Sequence, residues 1–97
     1  IGFYCIGSPA QVPNSTYPYC LEFTDIGLGM RPDMTGKGHG RLFVTYVMER
    51  AMERGKPLRL TVAAFNERAI HLYDTVGFRT ITSFERNGTP FKVMVRD

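Results

Sequence analysis

No tryptophan occurs among the 97 residues, and there are only two cysteines and two histidines. Cys5 and Cys20 make no metal-ligand spacing with each other or with His39 and His71, so no metal is expected. Two isolated cysteines also fall short of a disulfide scaffold, and free, mostly buried thiols in a reducing compartment are the expectation. No apolar run reaches the length of a membrane span, so no membrane partner is expected. Residues 1–6 show neither a basic leader nor a cleavage site, which points to a cytoplasmic protein. The chain opens on Ile1 in what reads as mid-strand, with no initiator Met, and is expected to be a piece of a longer protein. There is no internal repeat and no low-complexity segment.

What is present is enough for one folded domain over residues 1–97. Hydrophobic residues make up 43%, including seven Phe and five Tyr, and charged residues 22%. The net charge of +3 favours anionic partners, such as a phosphate-bearing cofactor or a nucleic acid. Arg31, Lys37, Arg41, Arg50 and Arg54 could serve the latter. Glu49 and Glu53 interleave with them, however, so a solvated helix face is the better reading and no nucleic-acid partner is expected.

Residues 1–6 read as a short strand and 10–18 as a turn-rich loop. A second strand is expected over 19–30, with Gly27 and Gly29 marking a bulge or a close backbone approach. A glycine-rich loop at 34–40 opens a helix running to about Arg54. Val44, Val47, Met48 and Ala51 form its buried stripe. Residues 58–63 alternate as a strand. Asn66 suits the N-cap of a second helix, with Ala69, Leu72, Tyr73 and Val76 on its apolar side and Gly77 at its end. Two strands over 78–86 and 89–96 flank Asn87-Gly88, a strong hairpin signal. The order β, β, loop, α, β, α, β, β predicts an α/β (α+β) domain with a mixed sheet and helices packed on it.

The stretch Thr35-Gly36-Lys37-Gly38-His39-Gly40-Arg41 carries the chemistry. A helix start has free backbone N–H groups and partial positive charge, and glycines let an anion approach them. A Walker loop would need Ser or Thr after Lys37, where Gly38 stands. The dinucleotide fingerprint would need glycine where Phe43 stands.

The stretch instead resembles the GNAT acetyltransferase motif Arg/Gln-x-x-Gly-x-Gly/Ala. Gly38 and Gly40 match its glycines, and Thr35 departs from it at the first position. Met30-Arg31-Pro32 resembles the strand end that precedes this loop. Downstream, Asn66-Glu67-Arg68-Ala69-Ile70-His71-Leu72-Tyr73-Asp74-Thr75-Val76-Gly77-Phe78 is similar to the family's Asn-x-x-Ala-x-x-Leu-Tyr-x-x-x-Gly-Phe segment.

The resemblance covers nearly the whole chain and implies a mixed, mostly antiparallel GNAT-like sheet flanked by helices, with the N-terminal part missing. It implies an N-acetyltransferase that moves an acetyl group from acetyl-CoA to a primary amine on a small molecule or peptide. A non-catalytic coenzyme A-binding module is the alternative. Backbone groups of Leu28, Gly29 and Met30 would bind the acetyl and pantetheine amides, with a bulge near Gly27 and Gly29 freeing an N–H for the thioester oxygen. Gly36, Lys37, Gly38, His39, Gly40 and Arg41 would hold the pyrophosphate, and Asn66 would bond pantetheine. Tyr73 would protonate the leaving thiolate. Glu22 and Asp25 are the carboxylates placed to act as general base, with a water chain as the other route. The fragment alone is expected to show little turnover and to self-associate through the open edge of its first strand, making a homo-oligomer.

Overall fold

The computed structural model describes residues 2–14, 17–20, 22–30 and 39–97. Its strands are β1 (Gly2–Ile6), β2 (Thr24–Met30), β3 (Leu58–Ala63), β4 (Arg79–Arg86) and β5 (Thr89–Arg96). Its helices are α1 (His39–Met52) and α2 (Glu67–Thr75), with a 3-10 turn at Ser8–Ala10. The strands form one sheet in the order β1-β2-β3-β5-β4. Only β2 and β3 run parallel, so the sheet is mixed and mostly antiparallel, as expected. No helix among the described residues is long and apolar enough to cross a membrane.

Both crossover helices pack on one face of the sheet. Val44, Val47, Met48 and Ala51 of α1 are buried there, the stripe that their spacing predicts. Tyr73 of α2 joins them, with Ala69, Leu72 and Val76 packed alongside. The sheet answers with Ile26, Leu58, Leu60, Val62 and Met94. The wet side of α1 is exposed, and Arg50 there pairs with Glu53 at 3.7 Å and lies over the Tyr46 ring. These contacts engage one of the cations considered for nucleic acid.

Asn87 (φ 52) and Gly88 (φ 81) both take left-handed conformations, giving the type I′ turn that joins β4 to β5. Two strand boundaries differ from expectation. The segment before β2 does not run along the sheet edge from residue 19. Tyr19 and Cys20 instead reach the sheet's second face, where they bond Thr61 and Arg59. At the other end β4 begins at Arg79, because the Phe78 N–H is taken by the Tyr73 carbonyl at the close of α2.

Candidate functional site

The sheet parts between its two parallel strands. β2 and β3 pair only through Thr24–Leu58, Asp25–Arg59 and Ile26–Leu60. Beyond Ile26 and Leu60 each strand continues with one neighbour, β2 with β1 as far as Met30 and β3 with β5 as far as Ala63. The gap opens towards the carboxyl ends of β2 and β3. The Thr24 N–H donates to the Pro57 carbonyl on the β3 side, and the Asp25 carbonyl accepts from the Gly7 N–H on the β1 side. Strand alternation then turns the backbone N–H and C=O of Leu28 and Met30 into the gap, and those of Gly29 towards β1.

The expected bulge at Gly27 and Gly29 is absent. The β1–β2 register runs without a shift from Gly2–Met30 to Ile6–Ile26, and the sheet's irregularity lies in β4, between Thr80 and Thr82. Divergence from β3 frees the backbone groups in its place. Gly27 marks a close approach instead. A Cβ there would stand 2.8 Å from Cys5 Sγ and 3.3 Å from Ala10 Cβ.

Two helix starts follow these strand ends. His39, Gly40 and Arg41 open α1, with Gly40 buried and Arg41 exposed. Among the described residues the first turn of α1 contains no acidic side chain to offset the partial positive charge of a helix start. Gly36, Lys37 and Gly38 lie outside the described residues. Asn66 caps α2, its Oδ1 accepting the Ala69 N–H at 3.3 Å.

Tyr73 is only 8% exposed. The end of α2 fixes it. The Phe78 N–H donates to the Tyr73 carbonyl at 3.0 Å and the Gly77 N–H to the Asp74 carbonyl at 3.1 Å. Gly77 takes φ 101, so the helix closes in a Schellman motif. The Phe78 ring meets the Tyr73 ring edge-on at 6.1 Å. Burial pushes the Tyr73 phenol up to about 12, from an ordinary value of 10.0. A phenol so raised favours the folded state while protonated. Its contribution is full below pH 10 and is lost as pH rises from there through about 12. Chemical denaturation across that range should show the parent losing roughly 2 kcal/mol more than Tyr73→Phe. Parallel curves for the two would show a phenol free to ionise in the fold.

Asp25 is buried at the middle of the three parallel pairs. Arg59 Nε donates to its Oδ1 at 2.6 Å and Nη2 to its Oδ2 at 2.7 Å, while Gln11 adds a bond to Oδ2 at 2.9 Å. Burial opposes the Arg59 charge, but the bonds to Asp25, Tyr17 and Cys20 outweigh it and raise its pKa above the ordinary range. Both Asp25 oxygens are engaged, so this carboxylate is a structural anchor rather than a proton acceptor. Glu22 lies outside β2, exposed in the turn before it.

Arg59 was not foreseen as Asp25's partner. Its only signal is a charge on the alternating strand Leu58–Ala63, at a position facing away from the apolar side. The rings of Tyr17, Tyr19 and Phe23 surround its guanidinium at 4.9 to 5.8 Å. A groove of about 550 Å³ also flanks α2, lined by Glu67, His71, Asp74 and Lys92 among others. Neither Tyr73 nor any β2 residue lines it.

A mixed sheet that parts between two parallel strands, with helix starts at the opening, defines the class: the fold is that of the GNAT acetyltransferases. A family model described as FR47-like protein matches residues 21–87, and the chain belongs to that family. The chain is similar to a thialysine N-epsilon-acetyltransferase from Sus scrofa, at 35% identity over 57 residues, covering 58% of this chain and 34% of that protein. A GCN5-related N-acetyltransferase structure from Kribbella flavida matches with a TM-score of 0.71 at 20% identity, covering 98% of this chain and 58% of that one. A spermidine N-acetyltransferase chimera from Vibrio cholerae matches at 0.63 and 24% identity, over 77% of this chain and 52% of that one. The chain thus spans about a third of the first relative's length and little more than half of the two structures.

Proposed function

We propose that the intact protein is an N-acetyltransferase moving an acetyl group from acetyl-CoA to a primary amine, and that this chain carries the cofactor side of the site. The observation that carries the reading is the parting of β2 from β3, with Leu28 and Met30 backbone groups turned into the gap. An amide-bearing chain such as pantetheine matches those donors and acceptors as a strand would. Gly29, expected to pair with the cofactor, turns its backbone polar groups towards β1 instead. His39, Gly40 and Arg41 would offer backbone N–H groups and charge to the pyrophosphate, and Gly36, Lys37 and Gly38, which lie outside the described residues, are assigned beside them by the resemblance alone. Asn66 follows the end of β3, and the side chain that caps α2 through Oδ1 would bond pantetheine through its amide N–H.

Acetyl-CoA supplies a thioester carbonyl for the amine to attack. Tyr73 is the proton donor to the departing thiolate, its phenol being in the protonated form that a general acid needs at neutral pH. Proton removal from the amine falls to Glu22 or to water. The named activities of the relatives, on thialysine and spermidine, favour a small primary amine as acceptor.

Calorimetric titration of acetyl-CoA into this chain, with adenosine diphosphate as control, tests the reading. Saturable micromolar binding, tighter for acetyl-CoA, is the expected result. Absence of binding to both this chain and the intact protein would remove it. Binding without transfer to any amine would make the intact protein a coenzyme A-binding module.

A further inference from the structure

The gap has a second side. The sheet face away from α1 and α2 is crossed by the segment between β1 and β2, which touches both lips where the gap begins. On the β2 lip, Gly27 is the first residue past the last parallel pair, and Ala10 closes over it. On the β3 lip the corresponding residue is Thr61, whose Oγ1 lies 2.7 Å from Tyr19 Oη. Tyr19 Oη also accepts the Val12 N–H at 3.1 Å. The Arg59 guanidinium sits 4.9 Å from the centre of the Tyr19 ring. Tyr19 is therefore held at both ring and hydroxyl.

The hydrogen count of this pair does not close on itself. A hydroxyl has one hydrogen and two lone pairs. One hydrogen lies between Tyr19 and Thr61, and Val12 occupies one lone pair of Tyr19. Whichever hydroxyl donates, an O–H hydrogen and lone pairs remain without a partner among the described residues. Both side chains are half-buried, so this spare capacity sits at the apex of the gap with limited access to water.

We propose that Thr61, oriented by Tyr19, holds the acceptor amine at the apex of the gap. Thr61 Oγ1 accepts an N–H of the amine, which leaves the nitrogen lone pair directed at the carbonyl carbon. Thr61 touches substrate, and Tyr19 is a positioning residue acting through it. The inference rests on the acetyl-transfer reading above and adds the side from which the acceptor arrives.

The test uses Thr61→Val, Thr61→Ser and Tyr19→Phe in the intact protein, with spermidine, thialysine and hydroxylamine as amines and acetyl-CoA binding followed by calorimetry. Thr61→Val should raise KM for whichever amine the parent acetylates roughly tenfold, the scale of one lost hydrogen bond. Tyr19→Phe, which keeps its ring against Arg59, should raise it less. Acetyl-CoA affinity should stay at the parent value although both variants lose a few degrees of melting temperature with the hydrogen bonds they delete, and Thr61→Ser should restore the parent KM. An unchanged amine KM in Thr61→Val, or a parallel loss of acetyl-CoA affinity, overturns this inference alone. Failure of the parent to bind acetyl-CoA, or to acetylate any of the three amines, takes the acetyl-transfer reading down and this inference with it.

Discussion

Arg59→Met should lower the unfolding free energy by roughly 3–5 kcal/mol, because it leaves Asp25 charged and buried with no cation beside it. An exposed ion pair would be worth only about 0–1 kcal/mol. The two guanidinium bonds to Asp25 and the complete burial of Arg59 place this pair in the costly class. For a domain with about 5–15 kcal/mol in total, the loss is a large fraction. Removing both charges together, as Asp25→Leu with Arg59→Met, should recover much of it, since the desolvation of an unpaired carboxylate disappears. Urea denaturation of the parent and the two variants reads both effects. A loss below about 1 kcal/mol for Arg59→Met would show that water reaches the carboxylate.

On the acetyl-transfer reading, in which Tyr73 is the general acid, Tyr73→Phe should reduce kcat of the intact protein by about a hundredfold or more. Its effect on stability near pH 7 should be small, because the ring contact with Phe78 and the Schellman closure need no hydroxyl. Acetyl-CoA affinity should likewise survive. Steady-state rates across a pH series separate these effects, and turnover equal to the parent at every pH would remove Tyr73 as the acid.

Much of this was legible in the residues because it is local. The α1 stripe, the Asn66 cap, the Gly77 stop and the Asn87-Gly88 turn each follow from spacing or from one residue's conformational preference. Tyr73 fell on the right face of α2 for the same reason. What escaped the sequence depends on contacts between distant segments. Asp25 and Arg59 are 34 residues apart, and nothing near either one announces the other. Tyr19 and Thr61 are 42 apart. The glycines at 27 and 29 signal an irregular strand, yet glycine cannot say whether a bulge, a close neighbour or a departing strand is the cause. Here Cys5 and Ala10 approach Gly27, and the departing strand is β3.

The short seam between β2 and β3 also bears on how quickly a ligand could enter. A strand-like guest usually has to displace a rung of an existing ladder or wait for an edge to fray. Here the inner backbone groups of Leu28 and Met30 have no strand to lose among the described residues, while β1 braces one wall of the slot and β5 the other. Along these two strands the backbone conformation is in place before any encounter, so the walls themselves need little ordering on arrival. On the acetyl-transfer reading, the strand-like part of the cofactor would meet no ladder to break, and differences among its analogues should appear in how long they stay.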